Sequence, residues 1–284
     1  MRSDERFRLF LVLVGGSALA GLGLWRGAVW AMVAGAVVAF LGGALVLRAP
    51  LRRRRELAKP FSDAWRSVLK EQVRFYRRLD AAGKERFETH LHALMVEYRF
   101  QAVPPATLDD EVRVLALSGA AILIHGMPPG VLRATRDVVI YPDHFDDEYD
   151  LGSNAPIAGM VHRQGPILFS LKALREGWRK SNGYNVSIHE FAHVLDLADG
   201  FADGVPGMDG DAWDPLIEEA LERVRGRRSR LRAYAGTNRA ELFAVAVEAF
   251  FETPRALQKA HGELYDTLVR FFGFDPEEHA MTTR

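Results

Sequence analysis

The chain has 284 residues, 48% hydrophobic and 26% charged, a balance that makes most of it globular and long enough for a sizeable core. It contains no cysteine, which excludes disulfides and thiolate metal sites and leaves His, Asp and Glu as metal ligands. The formal net charge of zero divides unevenly, because residues 1–59 carry ten Arg/Lys against three Asp/Glu; the basic, apolar head sits on a mildly acidic body without the footprint of a nucleic-acid binder.

Two uncharged runs, Leu9–Trp25 and Gly27–Leu47, open the chain with only Arg26 between them. Each is near the length a helix needs to cross a bilayer. Small residues recur at four-residue spacing, Ser17 and Gly21 in the first run, Ala31, Gly35, Ala39 and Gly43 in the second. Such stripes let helices approach closely in lipid, so residues 1–48 predict a transmembrane hairpin. The arginines before Leu9 and after Leu47 outnumber the single Arg26 of the loop, which puts both termini and the body on the cytoplasmic side of the cytoplasmic membrane. A cleaved signal peptide ending at "SALA" (Ser17–Ala20) competes with this reading, but another apolar run follows at once. Residues 49–60 then read as a basic linker suited to anionic headgroups.

Residues 61–136 predict a helical subdomain. Apolar residues at three- and four-residue spacing from Trp65 to Tyr98 suggest two helices, broken by "AAGK" and ended by "VPPATLDD". A further helix is expected over Asp109–His125, stopped by "GMPPG". In residues 137–284, "DVVIYP" (Asp137–Pro142) and "GPILFS" (Gly165–Ser170) read as short strands, with "AGMVHR" (Ala158–Arg163) as a weaker one. The expected class is α+β, mostly helical with a small mixed sheet.

The chemistry concentrates in "NVSIHEFAHVLDLADG" (Asn185–Gly200). A helix opening at Asn182–Gly183 and stopping near Gly200 puts His189 and His193 one turn apart on one face, so both imidazoles can reach one ion. Glu190 sits about 100° round the axis, placed to touch a water held by the metal but not the metal itself. Asp196 follows His193 by three residues and can accept an imidazole N–H from behind. Without a third ligand these remain ordinary polar residues of a helix. Two candidates exist. Asp199 lies six residues after His193, although Asp196 stands where zinc proteases of that spacing turn the chain on glycine. Glu241 lies in the first turn of a helix expected over Ala240–Phe251, where Asn238 and Glu241 also form a capping box. Glu248, two turns further on, either supports the site or is a solvated charge.

The blocks "HEFAHVLDLADG", "GPILFS" and "YAGTNRAELFAVAVEAFFETPRAL" occur in an order that resembles the Mlc titration factor A family of bacterial zinc peptidases, over roughly Phe61–Pro276. The resemblance implies a zincin-like metallopeptidase domain. It implies zinc (Zn2+) held by His189, His193 and Glu241, with Glu190 as general base. Tyr234, seven residues before Glu241, would donate to the developing oxyanion, a spacing also similar to that of the anthrax lethal factor peptidase. The best-known family members are soluble, whereas this chain opens on an apolar head. The implied function is a zinc-dependent peptidase on the inner face of the membrane, acting on peptide or protein substrates. The other class is a regulatory protein that sequesters a transcriptional repressor or similar partner, with a structural or vestigial zinc. In the enzyme reading, "GPILFS" is a candidate edge strand for an extended peptide, or else a plain core strand.

Three other features carry less. The loop "DGFADGVPGMDGDAWD" puts Trp213 where a calcium loop needs Asp or Asn, and reads as solvated. "RVRGRRSRLR" (Arg223–Arg232) lacks interleaved aromatics and reads as an exposed helix end. His90, His92, His125, His144, His162, His261 and His279 have no productive metal spacing.

Overall fold

A computed structural model describes residues 7, 10–12, 14, 29–128, 131–132, 136–151, 156–162, 165–201, 203–207 and 210–281. The chain forms two units, Met1–Pro60 and Phe61–Arg284. The first is built on α1 (Val29–Leu57). Its uncharged part, Val29 to Leu47, is roughly 28 Å long at about 1.5 Å per residue, near the thickness of a bilayer core. Among the described residues it is the one helix long and apolar enough to cross a membrane. Val33, Val37, Phe40, Leu41 and Leu45 stand exposed along it. The expected first span, Leu9–Trp25, lies mostly outside the described residues, as does Arg26. Val12, which is described, lies against Gly42, where a β-carbon would collide with its side chain.

The stretch expected as a basic linker is largely helical instead, since α1 runs on through Pro50 and the arginines to Leu57. Proline removes one backbone bond, and the Leu and Arg residues that follow are strong helix formers.

In the second unit, the two helices expected across Trp65–Tyr98 are three: α2 (Asp63–Gln72), α3 (Arg74–Arg78) and α4 (Ala81–Glu97). The chain is extended at Val73 and again at Leu79. "AAGK" is the first turn of α4 rather than a break, because Asp80 caps it by accepting from Gly83 N at 2.7 Å. A strand not expected from the sequence follows, β1 (Arg99–Ala102). Exposed Arg99 and Gln101 alternate in it with partly buried Phe100 and Ala102, and it pairs with β2 (Asp137–Tyr141) in register Arg99↔Asp137.

Helix α5 (Asp110–Leu123) is capped by Asp109 and is buried along almost its whole length. It fixes the helix that carries both histidines, α7 (Val186–Asp196). Ser187 Oγ donates to Ala116 O at 2.8 Å and accepts from Gly119 N at 3.0 Å. Any β-carbon on Gly119 would stand 2.6 Å from Ser187 O, so glycine is what permits the approach.

The sheet has the order β1-β2-β4-β3, with β1, β2 and β4 (Ile167–Ser170) parallel and β3 (Gly159–Val161) antiparallel to β4. "GPILFS" is therefore an inner strand, buried at every residue of β4, and the edge beside it is β3. Apolar residues without polar alternation are what a two-sided neighbourhood requires. Ser170 then caps α6 (Leu171–Arg179).

The C-terminal part comprises α8 (Gly210–Arg225), a 3-10 turn at Ala233–Gly236, α9 (Arg239–Glu252), α10 (Pro254–Ala260), α11 (Gly262–Phe272) and α12 (Pro276–Met281). Residues Leu242 to Phe251 of α9 are all buried, and this helix packs beside α7. The result is the mostly helical α+β architecture with a small mixed sheet.

Candidate metal centre

Helix α7 starts later than Asn182–Gly183 suggests. Asn185 is its cap and accepts from Ser187 N at 3.1 Å and Ile188 N at 3.3 Å, while Gly183 takes a positive φ of 77° just before it. The helix tightens into a 3-10 turn over Leu197–Asp199 and stops at Gly200, φ 101°. The local rigidity holds His189 and His193 with their Nε2 atoms 3.2 Å apart.

Glu241 arrives from α9. Asn238 caps that helix by accepting from Glu241 N at 2.9 Å, which leaves the Glu241 carboxylate free to face the histidines. Its Oε2 lies 3.1 Å from His189 Nε2 and 3.5 Å from His193 Nε2. That oxygen is buried and makes no hydrogen bond of good geometry, which leaves it a free acceptor beside the two imidazoles. Ligand atoms on a tetrahedral ion with bonds of about 2.0–2.1 Å stand roughly 3.3 Å apart, close to these three separations. The donor set therefore fits a metal ion. Among the described residues it is the one group of three His, Asp or Glu with ligand atoms within 4.8 Å of one another. Asp199, the other candidate, ends the 3-10 turn.

Charge points the same way. Burial disfavours a proton on His189, but Glu248, Glu241 and Glu190 outweigh it and push the imidazole up to about 10. Against its own burial, Glu241 is held well below the usual carboxylate range by His189 and His193. Three carboxylates around two imidazoles call for a positive charge in their midst.

Glu190 is buried, 3% exposed, and burial raises it to about 7, against the pull of the two histidines. A β-carbon on Gly159 would stand 2.5 Å from Glu190 Oε1, so edge strand β3 passes directly against this carboxyl. Tyr234 stands on the 3-10 turn, half exposed, with its ring centroid 6.0 Å from that of His189. Burial and then Glu241 push its hydroxyl up to about 12. A cleft of about 820 Å³ is lined by Gly159, Met160 and Val161 of β3 together with His189, Glu190, His193, Tyr234, Asn238 and Glu241.

Of the two supporting carboxylates, Asp196 departs from expectation and Glu248 takes the supporting one of its two alternatives. Asp196 is wholly buried, and its described contacts run to Gly204 N, 3.0 Å from each oxygen, rather than to an imidazole. A backbone amide brought in by the following loop occupies the acceptor. Glu248 is the residue behind His189, with Oε1 2.8 Å from Nδ1 and Oε2 accepting from Asn185 N at 2.5 Å. Gly204 also accepts from Trp213 Nε1 at 2.5 Å, and Trp213 is fully buried, so the far end of the acidic loop enters the core instead of lying in solvent.

Two residues at the centre went unnoticed in the sequence. Gly159 belongs to the weakest strand signal, and Arg232 ends an arginine run that reads as solvated. Arg232 instead forms an ion pair with Glu248. Its position two residues before Tyr234 is the only sequence signal that sets it apart.

A family model described as glucose-regulated metallo-peptidase M90 matches residues 48–273. An uncharacterized protein of Synechocystis sp. is 26% identical over 250 residues, spanning 79% of this chain and 89% of that protein. The Mlc titration factor A of Edwardsiella ictaluri is 31% identical over 185 residues, 58% of this chain and 70% of the relative. That of Escherichia fergusonii is 33% identical over 160 residues, 50% of this chain and 60% of the relative.

Proposed function

The chain belongs to the glucose-regulated metallo-peptidase M90 family, that of Mlc titration factor A, and from this premise we propose that it is a zinc-dependent peptidase tethered to a membrane by α1. The observation that carries the reading is the convergence of His189 Nε2, His193 Nε2 and Glu241 Oε2 beside a cleft large enough for a peptide. Two imidazoles and one carboxylate without any thiolate suit zinc with an open coordination position.

Zinc, when bound, supplies Lewis-acid polarisation of the scissile carbonyl and makes water a stronger acid. Glu190 accepts the proton of the attacking water and passes it to the leaving amine. A carboxyl poised near 7 can do both at neutral pH. The Tyr234 hydroxyl keeps its proton to pH values far above neutral, so it donates to the oxyanion rather than competing for the metal. Edge strand β3 has one side on β4, and its residues line the cleft, which supports main-chain pairing with an extended peptide. The arginines Arg48 and Arg52–Arg55 at the end of α1 support a cytoplasmic position for the peptidase region.

A second reading rests on the relatives' name, which makes them titration factors for Mlc. By that reading the chain sequesters a protein partner and its metal is structural. Purified full-length protein separates the two when its metal content is measured and a mixed peptide library is offered with and without chelator. Stoichiometric zinc and chelator-sensitive cleavage are expected. Full zinc occupancy without cleavage would favour the binding protein. Membrane anchoring is checked by fractionation, where removal of residues 1–60 should release the body to the soluble fraction.

A further inference from the structure

The turn before α9 does more than carry Tyr234. Arg232 starts it, its carbonyl accepting from Ala235 N at 3.0 Å, and Arg225 Nε closes its far end by donating to Gly236 O at 2.9 Å. The Arg232 guanidinium leaves the surface run to which it belongs in sequence. Nη2 donates to Glu248 Oε1, and Cζ lies over the Tyr184 ring, 4.7 Å from its centroid. The same Oε1 receives His189 Nδ1 at 2.8 Å. One oxygen of a fully buried carboxylate thus joins an imidazole of the metal centre to an arginine whose backbone leads, two residues on, to Tyr234.

We propose that Arg232 is a positioning residue that locks the turn of Tyr234 to the carboxylate behind His189, so that oxyanion donor and metal ligand keep one spacing. The inference rests on the peptidase reading for its consequence in catalysis, but not for its consequence in metal binding. A carboxylate with no exposed surface needs compensation for its charge. Arg232 supplies it and also holds Glu248 Oε1 where the His189 ring meets it. Removing the guanidinium frees the turn on one side and the ring on the other. Misplacement of a reacting group by about 1 Å costs roughly 100-fold in rate, and loss of an outer partner of a metal-bound histidine costs roughly 10- to 100-fold in metal affinity.

The test uses full-length protein carrying Arg232→Gln, Arg232→Lys, Tyr234→Phe, Glu248→Gln and the two double variants that pair Arg232→Gln with Tyr234→Phe or Glu248→Gln. Zinc affinity is read by competition with a chelator, and kcat and KM on a cleaved peptide. Arg232→Gln should weaken zinc by about 10- to 100-fold and lower kcat by about 100-fold, with little change in KM. Arg232→Lys should recover part of both. Because the residues act as one unit, Arg232→Gln should add little to the zinc defect of Glu248→Gln, and little to the kcat defect of Tyr234→Phe. Wild-type zinc affinity in Arg232→Gln, or full additivity in both pairs, would overturn the proposal. Should Arg232→Gln not fold, Arg232→Met, which keeps an unbranched side chain without the guanidinium, is read in the same way. If the wild type holds zinc but cuts no peptide, the peptidase reading fails, and the zinc affinities alone still decide whether Arg232 acts through Glu248.

Discussion

His189 Nδ1–H donates to Glu248 Oε1 at 2.8 Å, which leaves the other nitrogen of the ring, Nε2, facing His193 and Glu241. A carboxylate can only accept here, so it selects the imidazole tautomer that a metal requires. Glu248→Gln retains a side chain of the same shape but can present its amide nitrogen to the ring. We expect zinc affinity to fall by about 10- to 100-fold in this variant, and the thermal midpoint of the metal-free protein to fall as well, because Arg232 and His189 lose their buried carboxylate partner. Chelator competition and a melting curve measure the two effects separately.

Glu190 and Glu241 are both carboxylates at the cleft, but only Glu241 has its oxygen among the converging ligand atoms. Glu190→Gln should keep zinc at full occupancy and lose about 100- to 10,000-fold in kcat, the usual worth of a general base. Glu241→Ala should lose zinc under the same dialysis. Metal analysis with a single-turnover assay checks both, and retained turnover in Glu190→Gln would remove that residue from the mechanism.

Gly119 is where α5 touches the helix of the two histidines. Its substitution by Ala would bring a β-carbon to 2.6 Å from Ser187 O, with backbone on both sides. Overpacking of this sort costs about 1–3 kcal/mol. Denaturant titration of Gly119→Ala should show that loss, accompanied by weaker zinc binding because α7 must move. A stability equal to the wild type would mean that the two helices have slack which the contact distances do not suggest.

Glu252 ends α9 away from the cleft, with Oε2 buried and unpartnered. Burial raises its carboxyl to about 7, against Ser181 and Arg74, which favour the charge. The ordinary value in the unfolded chain is 4.5. A folded-state value above the unfolded one means that the folded protein binds the proton more tightly, so this contribution to stability is complete below pH 4.5 and is lost as pH rises through 7. Glu252→Gln should therefore match the wild type near pH 5 and exceed it by roughly 2 kcal/mol near pH 8. Equal pH profiles for the two proteins would show that Glu252 is already charged in the fold.

What the amino-acid order alone determined is what depends on neighbours a turn away. The four-residue step from His189 to His193, the Asn238 cap beneath Glu241, the start of α5 beside Asp109 and the apolar run of α1 follow from helix periodicity and from short side chains meeting nearby amides. Even so, "AAGK" misled, because a glycine in the first turn of a helix and a glycine that breaks one look alike until the cap is seen. The tertiary structure alone decided which strand forms the edge, that Arg99–Ala102 is a strand at all, and that Asp196 serves a loop while Glu248 serves His189. It also drew Arg232 out of a run of surface arginines and onto a buried charge. These assignments join groups from separate helices and strands, and no periodicity within a segment encodes them. They follow from how the faces of α5, α7 and α9 pack, which sets the distances on which the chemistry of the centre depends.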